Sequence, residues 1–343
     1  MQQWIKEVAR GQRGAKDLPF EEAEKAARMM ATGEATDVQI ATFLTGQRIK
    51  TETPEELDAF VKVYRENSEQ IKVDENTREK LVDYSSPYAG RNSFFATIPA
   101  NLLLASRGMP VCLHSSDSLP PKYGITIKEV LTELGIKTEK NIDEIAISLE
   151  KVNIGFYHTE KLSLPLKRLR SIRKEMGIRT TFNTVEKMLN LAHAPNIVLG
   201  AFHRTAINKI LPVFKTLDVK KAVVVQGIEG SDDLAVHRNS FVFQIKDGQE
   251  SSFIVSPKEY DLYLPEEEFV KKRSLQNQVE TIESVLRGEK SDLYAYNQVV
   301  LNTALRLYLF GYESSIADGV AWARNALDRR VGQEVLEGWR SIL

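Results

Sequence analysis

Cysteine is nearly missing from this 343-residue sequence, Cys112 being the single example. That excludes an intramolecular disulfide framework and any cysteine-rich zinc site, and it suits a reducing compartment. Histidine is scarce as well: His114, His158, His193, His203 and His237 include no H-x-x-x-H or other ligand-spaced pair. Neither sign of charge is in excess, with 46 Lys and Arg against 47 Asp and Glu. The chain therefore lacks the overall positive charge behind nonspecific DNA affinity, and any basic surface must be local. No run of about 18 apolar residues is present, so no membrane-spanning helix is expected. The opening MQQWIKEVARGQRGAKDL has no apolar core followed by a small-residue cleavage site, which argues against a secretory signal. A composition 42% hydrophobic and 27% charged is that of an ordinary globular protein. A cytoplasmic location is the expectation.

What is present begins with local helix signals. Ala23, Ala26, Ala27 and Met30 recur at helical spacing after Leu18-Pro19-Phe20, with Asp17 as the expected cap and Gly33 as the terminating residue. Thr36-x-x-Gln39 and Thr53-Pro54-Glu55-Glu56 read as capping boxes opening two further helices. Three short helices with small apolar faces make a lobe that must lean on something else. From about residue 78 short apolar runs alternate with helical stretches: Pro110 to His114, Ile154 to Tyr157, Ile197 to Gly200 and Ala222 to Val225. Runs apolar on both faces predict buried, mainly parallel strands. Helices are expected over Pro99 to Arg107, over Ile127 to Leu134 and throughout the stretch after Gln276. The order implies a layered α/β body with its ligand site outside the carboxyl ends of the strands. Cys112 falls on one of these strands and reads as core.

Four segments could carry chemistry. The run Ala222 to Asp233 is a strand ending in two glycines and the adjacent carboxylates Asp232 and Asp233. Paired Asp oxygens suit a hard divalent cation, and they equally suit a solvated turn or a helix cap. The loop His114-Ser115-Ser116-Asp117-Ser-Leu-Pro-Pro-Lys122-Tyr-Gly124 sets hydroxyls, an imidazole and an ammonium beside a helix start, either for an anion or as a polar connector. The connection Tyr84 to Ser93 contains Tyr88, Gly90, Arg91 and Asn92, and the planar fork of Arg91 suits a phosphate or carboxylate; it is neither a Walker A loop nor G-x-G-x-x-G. Finally, Lys167, Arg170 and Lys174 stand at i, i+3 and i+7 in a basic stretch running to Arg179. This is either a nucleic-acid or anion surface or a solvated helix face.

Taken in order, Gly33 to Leu44, Lys50 to Glu56, Val111-x-x-His114, Ile172-Arg173-Lys174 to Asn183, Gln226-Gly-Ile-Glu-Gly-Ser-Asp232-Asp233 and Leu301-Asn302-x-Ala304 with Gly311 resemble anthranilate phosphoribosyltransferase, within glycosyltransferase family 3. The resemblance implies a small α-helical lobe (1–75, joined by helices from about 163–192) and an α/β lobe (76–343) with a mainly parallel central sheet and C-terminal helices. It implies a cleft between the lobes, Mg²⁺-assisted use of 5-phosphoribosyl 1-pyrophosphate or a related phosphorylated pentose with an aromatic acceptor, and a homodimer formed through the helical lobe. Matched residue by residue, Asp232 and Asp233 take the place of the magnesium-holding acidic pair, Arg173 that of the arginine on the anthranilate path, and His114 that of the histidine in the family's Lys-His-Gly-Asn loop. Tyr88, Gly90, Arg91, Asn92, Thr97, His114, Ser115, Asp117, Lys122 and Arg173 are then the expected substrate-binding residues.

The sequence departs from the family at defined places. Leu113 replaces the loop's lysine, Ser115-Ser116 its Gly-Asn, and Val185-Glu186-Lys187-Met188 a Leu-Gly-Pro-Leu. The glycine-rich pyrophosphate loop falls on Tyr84 to Ala89, which has no glycine, so backbone amides cannot approach a pyrophosphate in the usual way. Pro87 also removes a donor. A divergent branch with Pro87-Tyr88-Ala89-Gly90-Arg91 is the better match, and a substrate pair other than the standard one is expected. The alternative function is a nucleic-acid-binding or regulatory paralogue on the same fold, acting through the Lys167 to Arg179 stretch.

Overall fold

The computed structural model describes residues 1–11, 13–85, 88–217 and 219–342. The expected local signals are realised first in the helical lobe, where Thr36 caps Asp37–Lys50 and Thr53 caps Pro54–Glu66 through reciprocal capping boxes. The helix Phe20–Thr32 ends at Gly33 with φ 86°. Asp17 is not its cap: the helix begins after Pro19 without a side-chain cap, and the Asp17 carboxylate instead accepts from Lys50 Nζ at 2.6 Å. An additional helix, Gln2–Val8, packs on Asp37–Lys50.

Among the described residues a seven-stranded sheet forms the second layer. Strands β1 (Val82–Ser85), β2 (Val111–Ser115), β3 (Ile154–His158), β4 (Asn196–Gly200) and β5 (Lys221–Val225) are parallel in the order β3-β2-β1-β4-β5. Strands β6 (Ser240–Lys246) and β7 (Gln249–Val255) continue the sheet as an antiparallel hairpin. The hairpin turns at Asp247-Gly248, both at positive φ (49° and 77°), as a two-residue turn of matching twist requires. Neither β1 nor the hairpin stands out as a buried apolar run: β1 carries Asp83, and β6 alternates buried and exposed residues.

The parallel strands are apolar on both faces because both are covered. Cys112, Tyr157, Ile197, Leu199 and Val224 face the core shared with the helical lobe and with Leu164–Met176. Leu113, Phe156, Val198 and Val223 face the core shared with Leu293–Leu309 and the other C-terminal helices. Residue Phe182 ties the interlobe helices to the helical lobe, its ring edge-on to Phe60 and Tyr64 at centroid distances of 5.6 and 4.6 Å. Strand order reverses at β1, between β2 and β4. Outside the carboxyl ends of such neighbouring strands the connecting loops diverge and leave a crevice.

Candidate functional site

The crevice is a cleft of ≈ 280 Å³ between the lobes. Its walls come from the helical lobe (Arg48, Thr51, Glu52), the loop after β1 (Tyr88, Ala89), the interlobe segment (Arg179, Thr180, Asn183, Lys187), the start of the helix after β4 (Phe202, His203, Lys209) and the loop after β5 (Glu229, Gly230). Four fixed cations, Arg48, Arg179, Lys187 and Lys209, face two carboxylates, Glu52 and Glu229, so the cleft suits an anion. Lys187 is buried, and its ammonium donates to the Gly200 and Gly230 carbonyls at 2.9 and 3.2 Å. Burial pushes it down to about 8. It pins the ends of β4 and of the β5 loop to the interlobe segment.

Behind this wall lies a buried ionic node. Residue Gly200 lets the loop after β5 fold directly over the end of β4, since a Cβ there would lie 1.9 Å from the Ser231 carbonyl carbon. The loop thereby turns Asp232 and Asp233 inward, where they are 1% and 0% exposed. Asp232 accepts from Thr97 Oγ1 at 2.8 Å and Arg306 Nη2 at 2.7 Å, while Asp233 meets Arg91 Nη2 at 2.5 Å and Arg306 Nη2 at 3.3 Å. Arg91 lies over Phe95 and Arg306 over Tyr84. Burial raises the Asp232 carboxyl above its ordinary range, with the Asp233 charge adding to the effect and Arg306 and Arg91 opposing it.

This donor set does not fit the divalent cation expected at Asp232 and Asp233. A hard cation needs several oxygen ligands, most of them free carboxylate or water oxygens. Here two guanidiniums already neutralise the two carboxylates in a pocket closed to solvent, and a further double charge beside them meets repulsion rather than ligands. No cluster of three or more metal-ligating side chains exists among the described residues.

The remaining expected residues divide. Arg91 is tied through a backbone bridge to Ile125, and Gly90 permits it: at φ 72° its Cβ would lie 2.1 Å from the Gly124 carbonyl oxygen. This interlock brings Lys122 onto Glu229, whose carboxylate also accepts from the backbone N–H of Asn92 (3.1 Å) and Ser93 (2.8 Å). Arg91, Asn92, Thr97, Lys122, Asp232 and Asp233 thus form one assembly, with Tyr88 on the cleft wall. Pro87 lies outside the described residues.

Gly90, Arg91, Asn92, Thr97 and Lys122 do not themselves line the cleft, and neither do His114, Ser115, Asp117 and Arg173. The His114 ring, 0% exposed, bridges Asp83 (3.0 Å) and the Tyr88 hydroxyl (2.5 Å) and stacks on Tyr157. Ser115 Oγ accepts from the Lys128 backbone N–H, and Asp117 pairs with the Lys128 ammonium. Arg173 is sealed in a two-pronged pair with Glu186 at 2.6 and 3.0 Å, both residues buried. The family's apolar Gly-Pro step has become the charge that occupies this arginine. The basic stripe is interrupted as well. Arg170 is bound to Glu160 and to the loop at Ser116 to Ser118, and Arg168 donates to the Ala31 and Thr32 carbonyls, leaving Lys167 and Lys174 exposed.

Sequence reasoning missed Arg306, Glu229, Arg48 and Lys209 in these roles. Lys187 and Glu186 carried a signal, because charged residues stand where the family pattern is apolar.

Comparison with known proteins gives two matches that divide the chain in sequence. The profile of the "Glycosyl transferase family, helical bundle domain" matches residues 2–68, and that of the "Glycosyl transferase family, a/b domain" matches residues 81–330. The anthranilate phosphoribosyltransferase of Aquifex aeolicus is 30% identical over 334 residues, spanning 97% of this chain and 96% of that protein. A crystal structure of the enzyme from Thermus thermophilus superposes with a TM-score of 0.84 at 24% identity, covering 98% of each chain. The enzyme from Saccharomyces cerevisiae in complex with 5-phosphoribosyl 1-pyrophosphate and Mg matches with a TM-score of 0.79 at 16% identity, over 100% of this chain and 98% of that one. At these identities the two structures speak for the fold. Among the described residues no helix is long and apolar enough to cross a membrane.

Proposed function

Since the chain belongs to this glycosyl transferase family, with both its helical-bundle and a/b segments, we propose that it transfers a phosphorylated pentosyl group to an aromatic amine or nucleobase in the interlobe cleft. The bond from pentose C1 to the leaving phosphate or pyrophosphate oxygen breaks and a bond to the acceptor nitrogen forms. The released anion takes up the acceptor's proton. The observation that carries this reading is the cationic cleft at the β1/β4 strand reversal.

Arg179, Lys187 and Lys209 stabilise the anionic group that departs, and the cleft walls hold the reactants in position. No side chain acts as a covalent nucleophile. The Mg²⁺ of the family scheme has no step here, because Asp232 and Asp233 are held by Arg91 and Arg306. Those four residues brace the loops that carry Glu229 and Asn92. With Arg173 engaged by Glu186, the acceptor is not held by Arg173 and differs from the standard one. The homodimer through the helical lobe is supported by Val38 and Ile49, which are 76% and 55% exposed on the helix Asp37–Lys50.

Calorimetric titration with 5-phosphoribosyl 1-pyrophosphate tests the reading. Saturable heat is expected from the native protein and its loss from the variant Arg179→Ala with Lys209→Ala; absence of heat from the native protein sinks the proposal. The nucleic-acid alternative predicts a gel shift with single-stranded oligonucleotides that Lys167→Glu with Lys174→Glu abolishes.

A further inference from the structure

Glu229 occupies an unusual place for an acidic side chain. Its carboxylate receives two successive backbone N–H groups, from Asn92 and Ser93, together with the ammonium of Lys122. Consecutive amides converging with a cation on one oxygen pair are the groups a phosphate oxygen meets in an anion-binding turn. Glu229 also lines the cleft, whereas Asn92, Ser93 and Lys122 do not, so its side chain links the cleft to the cradle behind it.

Three further observations mark the cradle as built for an anion other than Glu229. First, Glu229 adopts the left-handed conformation, φ 53° and ψ 22°, which a residue with a Cβ disfavours. Second, the charges of Arg179 and Arg91 both bear on Lys122; together with burial, the leading cause, they push it down to about 8 even with Glu229 beside it. With Arg91 paired to Asp233, Lys122 and Arg179 remain as two cations near the single carboxylate of Glu229. Third, Arg91, adjacent to the amide donors and 0% exposed, has its Nε and Nη1 without a hydrogen-bond partner. Buried donors of this kind are normally satisfied.

We propose that Glu229 is an internal anion seated in the chain's own phosphate cradle, and that a phosphate- or pyrophosphate-bearing ligand binds by displacing its carboxylate from Asn92, Ser93 and Lys122. The contact is then a gate: the loop after β5 holds the cradle closed until a more highly charged anion replaces the monoanionic carboxylate. This deepens the transfer reading by naming how the donor's anionic group is received, and it rests on that reading only for the identity of the donor.

The test uses the full chain, inorganic pyrophosphate as probe and EDTA throughout. Calorimetry with Glu229→Ala should give an affinity about tenfold tighter than the native protein, the scale of one charge-assisted hydrogen bond removed from the competing anion. Adding Lys122→Met should abolish the gain. Should Glu229→Ala fail to fold by near-ultraviolet circular dichroism, Glu229→Gln keeps an amide-bonding oxygen without the charge and should still tighten binding several-fold. Unchanged or weaker binding in the folded variant, or no binding at millimolar pyrophosphate, overturns the proposal. Repeating the titration with 5-phosphoribosyl 1-pyrophosphate separates the two readings. Tighter pyrophosphate binding without binding of that donor keeps the cradle and rejects the transfer.

Discussion

Replacing Arg306 by methionine removes one of the two guanidiniums from the buried node while roughly keeping its volume. In the native chain Arg306 Nη2 lies 2.7 Å from Asp232 and 3.3 Å from Asp233, with its guanidinium over Tyr84. The variant leaves two carboxylates, each no more than 1% exposed, sharing the single charge of Arg91. Breaking a buried pair in this way costs about 3–5 kcal/mol.

The pH dependence has a definite sign. Burial already raises Asp232, and Arg306 is the foremost opposing influence, so its removal raises that carboxyl further. A carboxyl whose folded pKa exceeds its unfolded value penalises folding above that folded pKa, and the penalty is relieved as pH falls through it. The stability deficit of Arg306→Met should therefore be larger at pH 8 than at pH 5, measured by urea denaturation followed by circular dichroism. Mg²⁺ should raise the denaturation midpoint of the variant, whose carboxylates have lost a cation, and leave the native midpoint unmoved. A cost below about 1 kcal/mol, the scale of an exposed pair, a deficit that grows toward acid, or stabilisation of the native chain by Mg²⁺ would refute the reasoning.

Two further outcomes are expected. Lys187, pushed down to about 8 by burial, lends its charge to an anion below that pH and loses it above. Pyrophosphate affinity measured calorimetrically should fall by up to about tenfold per pH unit above 8, and Lys187→Met should flatten the profile as well as weaken binding. Replacing Glu186 by alanine frees the Arg173 guanidinium from its two-pronged pair. Stability should drop by about 3–5 kcal/mol and anthranilate should bind at least several-fold tighter in equilibrium dialysis; unchanged anthranilate affinity would show that this path is closed by more than Glu186.

Much of the fold was legible because its signals are local. The Thr36/Gln39 and Thr53/Glu56 boxes each lie within one helical turn, and the doubly apolar runs at Ile197 to Gly200 and Ala222 to Val225 announce strands covered on both faces. Strand β1 was hidden because its Asp83 is buried against His114, a partner 31 residues away. The hairpin was signalled by Asp247-Gly248, but its exposed alternate residues diluted the apolar pattern.

The site shows the same division. Asp232-Asp233 is visible as a pair, whereas the residues that decide its chemistry stand 142 positions earlier, at Arg91, and 74 later, at Arg306. No spacing rule links residues so far apart, and a carboxylate pair looks the same in sequence whether it awaits a metal or already holds guanidiniums. The departure at Val185-Glu186-Lys187-Met188 was visible. Its effect, neutralising Arg173 and pinning two loop carbonyls, required the packing of the interlobe segment against β4 and the β5 loop.

The central claim is that the chain receives an anionic pentosyl donor through its own cations, without a divalent ion at Asp232 and Asp233. Titrating the native protein with 5-phosphoribosyl 1-pyrophosphate in EDTA and again in Mg²⁺ tests it most directly. Binding is expected in both, with affinities within a few-fold. Binding that requires Mg²⁺ and disappears in Asp232→Asn with Asp233→Asn would contradict it.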